Sequence, residues 1–216
     1  MITEFVFVRH GETDANLHGV IQGHMDAPLN PLGITQAEAV AEYLKKEHFD
    51  GAFTSSLQRA VQTAEIVVAR NEEGVPLKSV PELKEWFCGK IDGMRWDDVS
   101  DKYRYESRSF SFEQFDVRMP DGESCAEFQH RVESFLTGLL SSYGGKRILL
   151  VAHGGVLQRI FRMVTGSVAK GNLLPLAGNA SVSSFIYNHK LEAWQLTSWN
   201  LREHLKGIQQ HISRVL

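Results

Sequence analysis

The hydrophobic positions along the chain change repeatedly between short β-prone runs and a helical period. Runs rich in Val, Phe, Ile and Leu predict strands over residues 4–8, 51–54, 77–80, 146–152, 181–187 and 193–197. Apolar residues at three- and four-residue spacing predict helices over 31–46, 56–70, 125–143 and 154–164. Strands that alternate with helices favour an α/β sheet with helices on both of its faces.

Capping signals mark the starts of three predicted helices. The pair Asn30-Pro31 fits an N-cap followed by proline at the first helical position. The three-residue spacing of a capping box occurs twice, at Ser55 with Gln58 and at Ser124 with Glu127. We therefore expect the helices after these residues to begin with satisfied backbone N–H groups.

The composition fits one globular domain over residues 1–216. Hydrophobic residues make up 43 %, enough for a large core, and no linker, repeat or low-complexity tract divides the chain. The net charge of −3 argues against a general nucleic-acid binder, which would carry a basic excess. Cys88 and Cys125 form no CxxC pair and indicate a reducing compartment. Without a signal-peptide pattern or an apolar run of about 20 residues, we expect a cytoplasmic protein with no membrane partner.

Two of the predicted strands end in a histidine that glycine follows. His10 comes after strand 4–8, and His153 ends strand 146–152. Ligands of open α/β sheets bind outside the carboxyl ends of the strands, so both histidines would face one pocket if these strands are neighbours. The helix that starts near Gly154 would turn its free N–H groups towards that pocket, which favours an anion. This pattern alone identifies no reaction.

Five short blocks occur in order between residue 5 and about residue 165. They are Arg9-His10-Gly11-Glu12-Thr13 with Asn16 and Gln22-Gly23, Ser55-Ser56-Leu57-Gln58-Arg59-Ala60 with Thr63-Ala64-Glu65, Glu82-Leu83 with Glu85 and Gly89, Pro120-Asp121-Gly122-Glu123-Ser124 with Arg131, and His153-Gly154-Gly155-Val156. Together the blocks resemble the histidine phosphatase superfamily, which includes the cofactor-dependent phosphoglycerate mutases. Each block is a weak motif alone, whereas five in order are highly specific.

The resemblance implies a fold and a catalytic cycle. The fold is a three-layer α/β/α sandwich with a mostly parallel central sheet, as in phosphoglycerate mutase. The cycle passes through a phosphohistidine on His10 and uses no metal or other cofactor. Arg9 and Arg59 are expected to bind the phosphoryl group, because a guanidinium can hold two of its oxygens at once. His153 is expected to donate to the same oxygens in the transition state.

A carboxyl group is expected to move the protons of this reaction. The leaving alkoxide needs a proton, and the water that attacks phosphohistidine must later lose one. We assign this role to Glu85 rather than to Glu82, because Glu85 stands four residues before Gly89, as in the resembled block. The other expected phosphate- or substrate-binding residues are Asn16, Gln22, Gly23 and Gly154.

The segment 94–122 favours a phosphatase over a mutase. By the resemblance, phosphoglycerate mutases carry paired arginines in a longer insertion, whereas the arginines of this segment are separate and aromatic residues are frequent. The wider stretch 86–122 has no clean period, so we expect loops with a short helix near 96–105. We interpret 94–122 as a substrate-covering insertion, with a small satellite core as the alternative. We predict hydrolysis of a small phosphate ester that has an apolar or aromatic part.

Three other functions stay open at this point. They are phosphoryl transfer of the phosphoglycerate mutase type, hydrolysis of α-ribazole phosphate, and binding of a phosphate ligand without catalysis. Binding without catalysis is disfavoured, because degenerate family members usually lose a catalytic residue. This chain retains the five expected ones, which are Arg9, His10, Arg59, Glu85 and His153. The expected partner is a small-molecule phosphate ester and not a nucleic acid. A homodimer also stays open, because many relatives dimerise, although the sequence has no distinctive exposed apolar stripe.

Overall fold

One six-stranded sheet forms the centre of the computed structural model, which describes residues 1–99, 118–166 and 175–211. The strands are β1 (Ile2–Arg9), β2 (Gly51–Ser55), β3 (Leu77–Val80), β4 (Arg147–Ala152), β5 (Val182–Asn188) and β6 (Ala193–Leu201). Their order across the sheet is β3-β2-β4-β1-β5-β6. The first four strands are parallel to one another, whereas β5 runs antiparallel to β1 and β6 antiparallel to β5. The mostly parallel sheet expected from the sequence is confirmed.

The two strands that lead to the histidines are neighbours. β1 and β4 pair in parallel with Arg9 opposite Ala152, and the backbone N–H of His10 donates to the Ala152 carbonyl over 3.0 Å. His10 and His153 therefore leave the carboxyl edge of the sheet side by side, as predicted.

Helices cover both faces of the sheet. They are α1 (Asp14–Leu17), α2 (Pro31–Leu44), α3 (Gln58–Arg70), α4 (Cys125–Ser142) and α5 (Gly154–Thr165), with short 3-10 turns at Pro81–Leu83, Gly89–Ile91, Trp96–Asp98 and Glu203–Leu205. Side chains alternate along a strand, so Phe5 and Phe7 face one side of β1 while Val6 and Val8 face the other. The two phenylalanines belong to the core shared with α4 and α5, and the two valines to the core shared with α2 and α3. The chain thus forms the three-layer α/β/α sandwich.

Two of the three capping predictions are confirmed. The Asn30 side chain accepts from the N–H of Gly33 over 2.8 Å at the start of α2. At the start of α4, Ser124 accepts from the N–H of Glu127, and the Glu127 carboxylate accepts from the N–H of Ser124. Both helix starts therefore have side-chain acceptors for N–H groups that the helix itself leaves unpaired.

The capping box predicted at Ser55 is wrong. Helix α3 begins at Gln58, and its N-cap Leu57 makes no side-chain hydrogen bond. Ser55 is instead the last residue of β2, and its hydroxyl contacts the ring of His153 over 2.7 Å. The spacing of Ser55 and Gln58 fits a capping box by chance, and the serine hydroxyl instead contacts the histidine that follows the neighbouring strand β4.

Other differences from the sequence predictions concern boundaries. The loop after β1 contains the four-residue helix α1, which was not predicted, and β6 continues four residues beyond the predicted end at residue 197. Within the helix predicted near 96–105, the described part is the 3-10 turn Trp96–Asp98. Residues 100–117, most of the predicted insertion 94–122, lie outside the described part, so its role in covering substrate stays a prediction. Over the described residues, every helix is too short or too polar to cross a membrane.

Candidate active site

His10 lies in the loop directly after β1 and is 2 % exposed. Its Nδ1 contacts the Gly11 carbonyl oxygen over 2.7 Å. A carbonyl only accepts, so Nδ1 carries the hydrogen and Nε2 keeps its lone pair. Burial, reinforced by the charges of Arg59 and then Arg9, holds the pKa of His10 well below its usual range. The ring is therefore neutral at pH 7, with Nε2 available as a nucleophile.

Two buried arginines flank this histidine. Arg9 is 7 % exposed and donates from Nη1 to the Ala177 carbonyl over 2.5 Å. Arg59, in the first turn of α3, is 1 % exposed and donates to the carbonyls of Gly23 and Met25 over 2.9 and 2.8 Å. Burial lowers the pKa of Arg59 to about 10, so it stays charged at neutral pH. In both side chains Nε is buried without a hydrogen-bond partner among the described residues. Two cations held by neutral acceptors form a site for an anion.

His153 is fully buried at the end of β4, and its ring centroid lies 5.1 Å from that of His10. The Ser55 hydroxyl accepts from the N–H of Leu57 over 3.3 Å, so its own hydrogen can be donated to His153 Nε2. In the tautomer that accepts this hydrogen at Nε2, the neutral ring carries its own hydrogen on Nδ1, which is buried and has no hydrogen-bond partner among the described residues. Burial, with the charge of Arg59 next in importance, lowers the pKa of His153 well below its usual range. The unpaired Nδ1–H is a donor for a bound anion.

Glu85 reaches the same place from the loop after β3. One carboxylate oxygen accepts from the N–H of Gly155 at the start of α5 and the other from the N–H of Trp86, both over 2.9 Å. Its charge also raises the pKa values of Arg9 and Arg59, which are otherwise lowered mainly by burial. Glu82, the alternative carboxyl, contacts this network through its backbone carbonyl, which accepts from Arg131, and through no side-chain hydrogen bond in the part of the chain that the structure describes. Glu85 is therefore the carboxylate that faces the arginines.

Arg131 on α4 braces the Glu85 loop, a role that the sequence blocks did not reveal. It pairs with both carboxylate oxygens of Glu123 over 2.8 Å and donates to the carbonyls of Glu82 and Lys84 over 2.8 and 2.9 Å. A further contact of 3.3 Å reaches the Glu85 carbonyl. One side chain thus fixes the backbone on which the carboxyl group stands.

Thr13 contacts the side-chain amides of both Asn16 and Gln22. The Thr13 hydroxyl contacts Asn16 Oδ1 over 3.1 Å and Gln22 Oε1 over 3.0 Å, and the Thr13 N–H also donates to Asn16 Oδ1. The Thr13 N–H holds the Asn16 oxygen, whereas the single hydroxyl hydrogen can be donated to only one of the two oxygens at a time. The NH2 groups of both side chains make no hydrogen bond within the described residues, so both are available as neutral donors to a ligand.

The two glycines expected to line the site lie close to its charged groups. Gly23 has a φ of +44°, and a Cβ there would overlap the carboxylate of Asp92. The Gly23 carbonyl is one of the two that hold Arg59. Gly154 begins α5, and a Cβ there would lie 3.4 Å from the guanidinium carbon of Arg9. All nine sequence-predicted residues therefore lie in one connected site.

Three further polar residues in or near the site were not predicted. Asp92 accepts from the N–H of His24 over 3.0 Å, and burial raises its pKa to about 6. His24 Nε2 contacts the Glu85 carbonyl over 2.8 Å. Asn179 lies before β5 and contacts the loop that carries His10. The described residues contain no cluster of three or more His, Cys, Asp or Glu side chains arranged to hold a metal ion.

Comparison with known proteins identifies the family to which the chain is similar. The sequence model of the histidine phosphatase superfamily (branch 1) matches residues 5–202. A metal-independent phosphoserine phosphatase from Arabidopsis thaliana is 35 % identical, covering 96 % of this chain and 85 % of that protein.

Two solved structures share the fold. A putative α-ribazole-5′-phosphate phosphatase from Escherichia coli superposes with a TM-score of 0.81 at 28 % identity, over 93 % of this chain and 97 % of that one. A phosphoserine phosphatase variant from Entamoeba histolytica, solved with phosphoserine, gives 0.78 at 29 % identity, over 94 % and 99 %. The predicted phosphomonoesterase activity fits these relatives better than the mutase or binding-module alternatives. The chain belongs to the histidine phosphatase superfamily, whose enzymes hydrolyse phosphate esters.

Proposed function

We propose that this enzyme hydrolyses phosphoserine and similar small phosphomonoesters in two steps, with His10 as the phosphoryl carrier. The observation that carries the proposal is the buried hydrogen bond from His10 Nδ1 to the Gly11 carbonyl. It leaves a neutral Nε2 lone pair on a buried ring that lies near two buried guanidinium groups, those of Arg9 and Arg59. Neutral nucleophile and fixed cations are the two requirements of phosphoryl transfer to an imidazole.

The first step transfers the phosphoryl group to the enzyme. His10 Nε2 forms a bond to phosphorus as the bond between phosphorus and the ester oxygen breaks. Arg9, Arg59 and the Nδ1–H of His153 stabilise the charge on the three phosphoryl oxygens. Glu85 in its protonated form gives its proton to the leaving oxygen, which departs as the hydroxyl of serine.

The second step returns the enzyme to its starting form. The Glu85 carboxylate takes a proton from water, and the water oxygen attacks phosphorus while the bond to His10 Nε2 breaks. Inorganic phosphate leaves, and both His10 and Glu85 are restored. The bracing of the Glu85 backbone by Arg131 supports a role in both steps, because one fixed carboxyl must reach the ester oxygen and later the water.

Phosphoserine is the first substrate to test because both a sequence relative and a structural neighbour are phosphoserine phosphatases. We retain the preference for an apolar or aromatic part as the alternative, and it depends on the segment 94–122. We further propose that the enzyme works in the cytoplasm, where Cys88 and Cys125, both buried and unpaired, would stay reduced. Light scattering at several concentrations would decide between monomer and homodimer.

The test compares four reactions in the presence of a chelator. They are hydrolysis of phosphoserine, of p-nitrophenyl phosphate and of α-ribazole 5′-phosphate, and interconversion of phosphoglycerates primed with 2,3-bisphosphoglycerate. His10→Ala is the inactive variant. His18→Ala is the matched control, because His18 lies in the same loop region and, within the described residues, its ring hydrogen-bonds to the Asp14 carbonyl and to none of the site residues.

We expect fast hydrolysis of phosphoserine that is lost in His10→Ala and kept in His18→Ala. A phosphorylated protein that is stable to base and labile to acid should accumulate after rapid quenching. Faster hydrolysis of α-ribazole 5′-phosphate would transfer the proposal to that substrate. Phosphoglycerate interconversion without hydrolysis, or binding without turnover of any substrate, would refute it.

A further inference from the structure

A short segment before β5, residues 177–180, packs against the loop that carries His10. The Ala177 carbonyl accepts from Arg9 Nη1 over 2.5 Å, and the N–H of Ala180 donates to the His10 carbonyl over 3.1 Å. Between them, Asn179 is 6 % exposed. Ala180 has a φ of +53°, so the segment turns sharply enough to bring the Asn179 side chain across the end of β1.

The Asn179 amide nitrogen meets three acceptors. Its Nδ2 lies 3.1 Å from Asn16 Oδ1, 3.2 Å from the His10 carbonyl oxygen and 3.3 Å from the Gly11 carbonyl oxygen. The two carbonyls can only accept, so the NH2 group must face this side. The amide of Asn179 therefore has one allowed orientation.

This orientation and the Thr13 N–H together determine that of Asn16. Asn16 Oδ1 receives hydrogen bonds from the N–H of Thr13 and from Asn179 Nδ2, and it also contacts the Thr13 hydroxyl. Rotating the Asn16 amide by half a turn would place its NH2 group against two groups that can only donate, the Thr13 N–H and the Asn179 NH2. The oxygen thus stays inside, and Nδ2 keeps no partner among the described residues.

We propose that Asn179 is a positioning residue for the phosphatase reaction, which holds the Asn16 amide so that its Nδ2 donates to the phosphoryl oxygens. Asn179 itself does not touch the substrate. It acts through Asn16, and its contacts with the His10 and Gly11 carbonyls fix the orientation of its own amide. This inference rests on the proposed phosphoryl site but not on the identity of the ester.

Binding of inorganic phosphate, measured by calorimetry, tests the inference without any turnover. Asn179→Asp replaces the donor by an acceptor, so repulsion between the new carboxylate and Asn16 Oδ1 should displace the Asn16 amide from its contact with the Thr13 N–H and move its Nδ2 away from the anion. Loss of the hydrogen bond from Asn16 to the charged phosphate should raise the dissociation constant of Asn179→Asp roughly tenfold. Asn179→Ala removes the donor without adding charge and should weaken binding less.

The decisive comparison repeats both substitutions in the Asn16→Ala background. If Asn179 acts through Asn16, Asn179→Ala should have no further effect there, and Asn179→Asp should keep only the part due to its charge. In 15N-labelled wild type, phosphate should shift the side-chain amide signals of Asn16, and in Asn179→Asp it should not. Asn200→Ala is the control, because Asn200 Oδ1 holds the same segment through the N–H of Gly178 over 2.8 Å without reaching Asn16.

Two outcomes would overturn the inference. Equal losses of phosphate affinity from the Asn179 substitutions with and without Asn16 would show that the two residues act independently. An unchanged dissociation constant in Asn179→Ala together with unshifted Asn16 signals in wild type would also refute it. Failure of the proposed substrate is distinguishable, because wild-type phosphate binding with coupled Asn16 and Asn179 would persist without phosphoserine hydrolysis.

Discussion

Gly155→Ala tests whether Glu85 moves the protons of the reaction. Gly155 is the second residue of α5, and its N–H donates to the Glu85 carboxylate over 2.9 Å. An added Cβ would overlap one carboxylate oxygen and lie 3.0 Å from the carboxyl carbon. The Glu85 side chain must then swing away, while the substitution leaves every titratable group in the chain.

The expected loss of activity follows from the displaced hydrogen bond. A bond from a backbone N–H to a carboxylate contributes about 1.5–3 kcal/mol, equivalent to a loss of about 10- to 100-fold when the carboxyl group is misplaced. Alanine is favoured over glycine in a helix by about 0.5–1 kcal/mol, which offsets part of the lost hydrogen bond, so the free energy of unfolding should fall by about 0.5–2.5 kcal/mol. Activity should therefore be compared at a temperature where the variant is shown to be folded.

Two substrates divide the effect between the two steps. Nitrophenolate leaves without a proton, so phosphorylation of His10 by p-nitrophenyl phosphate should stay fast in Gly155→Ala. Attack by water still needs the base, so stopped-flow traces should show a burst of one nitrophenolate per active site followed by slow turnover. Phosphoserine needs the proton in the first step and should give slow turnover without a burst of serine.

Gly138→Ala is the matched control for this substitution. Gly138 lies within α4, and a Cβ there meets no atom within 4 Å. It should keep wild-type kinetics and gain about 0.5–1 kcal/mol in the free energy of unfolding. Wild-type turnover of phosphoserine by Gly155→Ala would refute the assignment of Glu85.

Three further measurements test other parts of the site. Burial lowers the pKa of His10, so its protonation favours the unfolded chain. The stability that the neutral ring contributes should be complete above the unfolded pKa of about 6.5 and lost as the pH falls below that value. Denaturant titrations should therefore show a smaller loss of stability on the acid side for His10→Ala than for wild type. Arg131→Leu leaves the partly buried Glu123 unpaired and should cost about 3 kcal/mol of stability and lower kcat. Arg131→Lys should recover part of the stability but less of kcat, because lysine cannot hold the carboxylate and the carbonyls together. Equal kcat values for the two variants would contradict this. Burial raises the pKa of the Cys88 thiol well above its usual value and Cys125 is also buried, so Ellman's reagent should find no reactive thiol in the native protein and two after denaturation.

The sequence predicted the parts of the fold that repeat a period. Valines and phenylalanines alternate along β1, and the two His-Gly strand ends needed only the rule that parallel strands share a carboxyl edge. The arginines, His153 and Glu85 were found because each stands in a block whose spacing resembles the family. These residues come close together in space because of the order of the strands in the sheet. The blocks do not give that order directly; it follows only from their resemblance to the family.

The remaining features depend on contacts between distant parts of the chain. Asn179 meets Asn16 across 163 positions, and Ser55 meets His153 across 98, so no local pattern connects them. The prediction for Ser55 was wrong for this reason, because its spacing to Gln58 fits a capping box whereas its hydroxyl contacts the ring of His153. Helix α1 has four residues, which is too short for a helical period to appear.

The central position of β1 also has a consequence for biosynthesis. Among the strands of this sheet, β1 is made first, and it pairs with β4 and β5, whose residues follow about 140 to 190 positions later. Its Phe5 and Phe7 stay without their neighbours until most of the chain has been made, and long-range pairing of this kind slows folding. A nascent chain stalled before β5 should therefore remain sensitive to protease and unable to bind phosphate, and a circular permutant that opens the loop between β2 and α3 should change folding speed more than final stability.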